Sequence, residues 1–205
     1  MARASREQVS HRRDEIIDAC DELYKTHEFK EITLKSIAER TSFSRPSIYN
    51  YFQTIEEIFL GLLQREYGEW IKDIVSLYEN NERMTAEEFA CALAHTLEKR
   101  ETLLKIQSMN LYGIEENSRL EKLIEFKRVF FSSMDKIGAC LEKFFPDMSG
   151  GEIEGFIMTF FPFLYGIYPY ASPTEKMLEA MEAAGIEYKT NSIYNLVYQG
   201  IIRML

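Results

Sequence analysis

A chain of 205 residues, 46% hydrophobic and 13% aromatic, holds enough apolar material for one large helical domain or two small ones, and its 10 glycines and 5 prolines exclude collagen-like and low-complexity classes. No run approaches the roughly 18 apolar residues of a membrane span, because Pro162, Gly166 and Pro169 interrupt the densest stretch. Arg3, Arg6, Arg12 and Arg13 precede no apolar segment, so no secretory signal is read and a soluble cytoplasmic protein without membrane partners is expected.

The formal charge of −9 is unevenly spread: nine basic against eleven acidic residues up to Leu60, and fifteen against twenty-two beyond. An N-terminal part near neutrality can still meet phosphates while the acid excess lies elsewhere.

Ile16, Ile17, Cys20, Leu23 and Tyr24 recur with a period near 3.6 and predict a first helix. A shorter segment with Leu34, Ile37 and Ala38 follows, with Thr33 placed to cap it, and Ser44 stands likewise before 45–50. Thr54-Ile55-Glu56-Glu57 reads as a capping box opening a long helix to about Tyr78.

Downstream, Thr85 with Glu88, Ser118 with Glu121, Ser149 with Glu152 and Ser172 with Glu175 repeat the capping-box pattern, the last with Pro173 at a first helical position. Asn80-Asn81, Phe145-Pro146 and Gly150-Gly151 mark breaks, and Gly185 is a helix stop. No alternating strand pattern occurs, which predicts an all-α chain.

Two short helices separated by Thr41-Ser42-Phe43 have helix-turn-helix proportions. Phe43, Ile48 and Phe52 are expected to close a small core with Ile37 and Leu23, leaving the neighbours of Ile48 outward. Pro46 costs little there, since first-turn amides lack helical partners.

The run Ile37-Ala38-Glu39-Arg40-Thr41-Ser42-Phe43-Ser44-Arg45-Pro46-Ser47-Ile48-Tyr49-Asn50-Tyr51-Phe52, followed by 54–59, resembles the signature of the TetR family of transcription regulators. The resemblance covers roughly 10–60. It implies an N-terminal three-helix DNA-binding domain, set here at 1–55, and a larger helical effector-binding and dimerisation domain at 56–205. It implies further that Thr33, Ser44, Arg45, Pro46, Ser47, Tyr49, Asn50, Tyr51 and Thr54 face double-stranded operator DNA, with Tyr49 and Thr54 on phosphate and Arg45, Ser47 and Asn50 near bases. Ser42 and Glu28 stand where the family often has glycine, which predicts strained or reshaped turns. Ile55 stands where it commonly has lysine, which removes a phosphate contact that Arg12, Arg13 and an arm with Arg3 and Arg6 would offset.

Segment 152–168 is apolar nearly all round and 192–205 carries two apolar stripes. With the family's dimer helices in mind, Phe156, Phe160, Leu164, Ile193, Val197, Ile201 and Met204 are assigned to a homodimer interface. Tyr67, Trp70, Met109, Tyr112, Phe130 and Met134 are the candidate lining of a pocket for a small, largely apolar effector.

Scattered His11, His27 and His95 and the absence of a phosphate loop argue against an enzyme, and no metal or other cofactor is expected. Cys20, Cys91 and Cys140 sit among apolar neighbours and read as free thiols. The predicted function is a ligand-responsive repressor; the alternative is a helical carrier or interaction module with weak DNA binding.

Overall fold

The computed structural model describes residues 6–205, with side chains from His11 onward. Among the described residues there are eleven α-helices, one 3-10 turn and no strand, as the 3.6-residue patterning predicts. The chain divides into two compact units. The first comprises the residues up to Glu66 together with Asn110–Val129; the second comprises Tyr67–Met109 and Phe130–Leu205. The expected boundary at 55/56 is the start of a helix, and the first unit runs past it and takes in a further, distant segment.

In the first unit, α1 (Arg6–Tyr24) buries Ile16, Ile17, Cys20, Leu23 and Tyr24, the residues whose spacing marks it as a helix. A 3-10 turn at Phe29–Glu31 leads to α2 (Leu34–Ala38), where Thr33 Oγ1 accepts from the Ser36 amide at 3.1 Å. Next comes α3 (Arg45–Ile48), with Pro46 in its first turn. Ile37, Ile48 and Phe52 are wholly buried with Leu23, as expected, whereas Phe43 is only half-buried.

The turns are unstrained. Among the described residues no side-chain-bearing one has positive φ, so neither Ser42 nor Glu28 takes the left-handed conformation that would favour glycine. The Ser42 amide donates instead to Glu15 Oε1 at 2.6 Å, which satisfies the turn and holds the Glu15 carboxyl below the usual range. The unit is completed by residues 55–66 of α4 (Ile55–Asn80), by α7 (Leu111–Glu116) and by the start of α8 (Leu120–Phe144).

The second unit holds the rest of α4 and α8 with α5 (Ala86–Glu98), α6 (Glu101–Met109), α9 (Gly150–Ala171), α10 (Glu175–Ala183) and α11 (Ile193–Met204). Here α11 packs on α5 and α9, and α6 packs along α9. Phe156, Phe160, Phe161, Leu164 and Ile167 form the buried face of α9. The Phe163 ring of α9 lies against α11 at Gly200, where a Cβ would come within 2.6 Å of it.

The capping boxes at Thr85/Glu88 and Ser149/Glu152 are present. The other two are not. Ser118 turns back to donate to the Ile114 carbonyl at 2.7 Å, and Glu121 pairs with Arg119. Ser172 ends α9, and Thr174 caps α10 by accepting from the Met177 amide, so Pro173 lies outside that helix. Gly185 does stop α10: with φ of 70° it lets the Ile186 amide reach the Met181 carbonyl at 2.9 Å. All three cysteines are free; burial raises the Cys140 thiol to about 11, while Cys91 is half-exposed.

Candidate nucleic-acid interface and sensor core

The surface around α3 rests on a fixed base. Ile48 and Phe52 are wholly buried, and their burial turns Ser44, Arg45, Pro46, Tyr49 and Asn50 to solvent, with Ser47 and Tyr51 half-buried. Ser44 and Ser47 hydroxyls pair at 2.9 Å across the first turn, and the Arg45 guanidinium donates to the Tyr49 hydroxyl at 3.4 Å. Thr33 is exposed at the head of α2. Together α3 and the turn that follows it offer hydroxyls, an amide and a guanidinium, a mixture able to meet base edges and phosphates.

Arg12 belongs to the same surface. Its guanidinium lies 5.8 Å from the centre of the Phe43 ring and donates to the Tyr51 hydroxyl at 3.4 Å. Arg13 stands over Phe52 and pairs with Glu125 at 3.9 Å. Arg3 and the Arg6 side chain lie outside the described residues.

Thr54 sits differently from the other assigned residues. Its hydroxyl accepts from the Glu57 amide and donates to the Asn117 carbonyl, both at 3.2 Å. Beside it, Glu57 is buried with its charge. Oε2 accepts from the Gln53 amide at 2.8 Å and from Arg119 Nη2 at 2.9 Å, and Oε1 accepts from the Arg119 amide at 3.2 Å and Nε at 2.5 Å. Burial opposes ionisation, but the donors from Arg119 and Gln53 outweigh it and hold the carboxyl below its ordinary range. The expected box at the head of α4 is therefore shifted: its acid caps Gln53 rather than Thr54 and is occupied chiefly by a partner 62 residues away.

In the second unit Tyr67, Trp70 and Phe130 meet, as their assignment to one cluster implies. Ring centres lie 6.0 Å apart for Tyr67 and Trp70 and 5.4 Å for Tyr67 and Phe130; Phe161, absent from the sequence assignment, packs on Trp70 at 5.9 Å and on Phe130 at 5.6 Å. Trp70 Nε1 donates to Thr96 at 2.9 Å. Met134 is half-buried one turn beyond Phe130.

Met109 and Tyr112 do not join them. They are 56% and 85% exposed, and Tyr112 belongs to the first unit. The cause is Asn110, whose backbone leaves the helical region (φ −138°, ψ −8°) and separates α6 from α7, so three-residue spacing no longer places 109 and 112 on one face.

The dimer assignment needs a similar correction. Phe156, Phe160, Leu164, Val197 and Ile201 are at most 3% exposed within the single chain, and Ile193 and Met204 are half-buried. These five side chains serve their own core, because α11 packs on α5 and α9, and α9 packs on α11 and α6. The outer side of α9 carries Met158, Pro162, Gly166 and Tyr170 instead, all exposed. A groove of about 440 Å³ adjoins it, lined by Gly155, Thr159, Arg203 and Met204 among others.

A helix-turn-helix with an exposed polar recognition row, followed by an all-helical unit with an aromatic core, defines a helical DNA-binding regulator. Residues 16–62 match the model for bacterial regulatory proteins of the tetR family, and residues 64–190 match the tetracyclin repressor-like C-terminal domain. The chain belongs to the TetR family, which is a family of transcription regulators rather than of enzymes.

An uncharacterized HTH-type transcriptional regulator of Bacillus subtilis, YfiR, is 28% identical over 72 residues, a match that spans 35% of each protein. The fatty acid degradation regulator FadR of Bacillus halodurans shares the fold with a TM-score of 0.61 at 16% identity, over 100% of this chain and 97% of that one. FadR of Bacillus subtilis, solved in complex with stearoyl-CoA, gives 0.62 at 15% identity over 93% and 96%. Among the described residues no helix is long and apolar enough to cross a membrane, and no cluster of metal-binding side chains occurs.

Proposed function

We propose that this chain is a homodimeric repressor that reads operator DNA with α3 and leaves it when a small, largely apolar effector enters the second unit. The observation that carries DNA reading is the exposed row Arg45, Tyr49 and Asn50 above the buried Ile48 and Phe52. A guanidinium pairs with guanine and a carboxamide with adenine through two hydrogen bonds each. Because four residues of helix read few base pairs, two copies on a pseudo-palindrome supply the remaining specificity.

The aromatic cluster around Trp70 supports the sensing half of the reading, and α4 supplies the link, since the same helix begins beside α3 and carries Tyr67 and Trp70. Release by an effector requires a coupling of only about 1 to 3 kcal/mol, and operator DNA must weaken effector binding by the same factor.

The test is capture of bound fragments from the genome of origin, followed by titration of the captured site. Asn50→Ala and Arg45→Ala should each weaken specific binding by about 1 to 3 kcal/mol with unchanged circular dichroism, and wild-type affinity should fall as salt rises. Unchanged affinity in both variants would remove α3 from the reading role.

A further inference from the structure

Four polar side chains are buried among the described residues: Glu57, Thr96, Gln107 and Ser133. Three are satisfied within the protein. Glu57 holds Arg119, Thr96 accepts from Trp70 and donates to the Leu93 carbonyl at 2.7 Å, and Ser133 donates to the Phe130 carbonyl at 2.6 Å. Gln107 is the exception. It is 3% exposed, yet neither its Nε2 nor its Oε1 meets a protein partner, and the buried Oγ of adjacent Ser108 has none either.

The setting makes this costly. Gln107 lies in the last turn of α6 on the same face as buried Leu103 and Leu104, and α6 packs along α9, whose inner face is built of phenylalanine, leucine and isoleucine. A leucine at this position would carry no desolvation penalty. A local rule broken this way inside an otherwise apolar core marks a position kept for a function rather than for packing. No charged side chain is buried in the same unit; the Arg100–Asp73 pair, at 2.6 Å, is part-exposed and internally neutralised.

We infer that Gln107 is the polar anchor of the effector site and that the effector is an uncharged molecule, with an apolar body and one group that both gives and accepts a hydrogen bond. This rests on the sensing role proposed above. A primary amide on the ligand would satisfy Oε1 and Nε2 together through two antiparallel bonds. A carboxylate could accept from Nε2 alone, would set its charge against Oε1, and would find no buried cation to offset its own desolvation. The site therefore favours neutral amides over anions of the same length.

Two measurements on the full chain test this. In thermal unfolding without ligand, Gln107→Leu should raise the midpoint by about 2 to 4 °C, since it removes an unpaired buried amide. In titrations followed by Trp70 fluorescence, octanamide should bind the wild type at least about tenfold more tightly than octanoate at neutral pH, and Gln107→Leu should weaken octanamide by about tenfold. A lower midpoint in the variant, equal binding of the two probes, or octanamide binding that ignores the substitution would each overturn the inference. Octanoate that binds well and loosens operator DNA would sink the neutral anchor and leave sensing intact; a wild type that responds to neither probe counts against both.

Discussion

Four hydrogen-bond donors converge on the Glu57 carboxylate, and three of them come from Arg119. Removing the arginine leaves a buried charge with the Gln53 amide alone, whereas Glu57→Gln keeps the shape and loses the charge. Arg119→Met should therefore destabilise the protein by about 3 kcal/mol and Glu57→Gln by less, read as shifts in the urea midpoint at constant slope. Because the folded state lowers the Glu57 pKa, the clamp's contribution is full above the ordinary carboxylate range and is lost as pH falls through the folded value. The gap between wild type and Arg119→Met should shrink in acid; a gap independent of pH would assign the loss to packing. Nothing in the sequence announces this pair. Glu57 is legible as a helix-capping acid, but a partner 62 residues away has no local signature.

Along the elements, what proved readable is what the chain decides within one turn. Thr33, Thr85 and Ser149 cap helices because each hydroxyl has its amide three residues on, and the residues around Ile48 are turned outward because Ile48 and Phe52 share a face. The misread positions depend on events beyond one turn. Asn110 breaks a helix without glycine or proline to mark it, which moves Met109 and Tyr112 to the surface. In α9, apolar nearly all round, composition says that every side must be covered but not by which neighbour. Its buried stripe belongs to the subunit, leaving Met158 and Tyr170 outside at 63% and 60% exposure. If a second copy covers that outer side, Met158→Arg should yield a folded monomer by light scattering with weakened operator binding. Ile201→Glu, by contrast, should unfold the subunit, since Ile201 is wholly buried within it. A dimer unaffected by Met158→Arg would place the interface elsewhere.

At the level of the whole molecule, the first unit is assembled from two stretches of chain, residues up to Glu66 and Asn110–Val129. The later stretch supplies Arg119 to Glu57, the Asn117 carbonyl to Thr54, Glu125 to Arg13, and the Asn110 amide to the Tyr24 hydroxyl at 3.1 Å. A fragment ending at Glu66 forfeits all four contacts and should lose cooperative unfolding, whereas the intact chain should melt with helical signal retained to its transition. The same dependence bears on recombination. Grafting this helix-turn-helix onto another regulator's sensor by a single crossover in α4 would carry Glu57 across without its arginine, so the hybrid would start with a stranded anion at the base of its reading head. A workable exchange needs two crossovers, or a host that already presents a guanidinium where Arg119 stands; segments that must travel together are thus defined by who neutralises whom, not by where a helix begins.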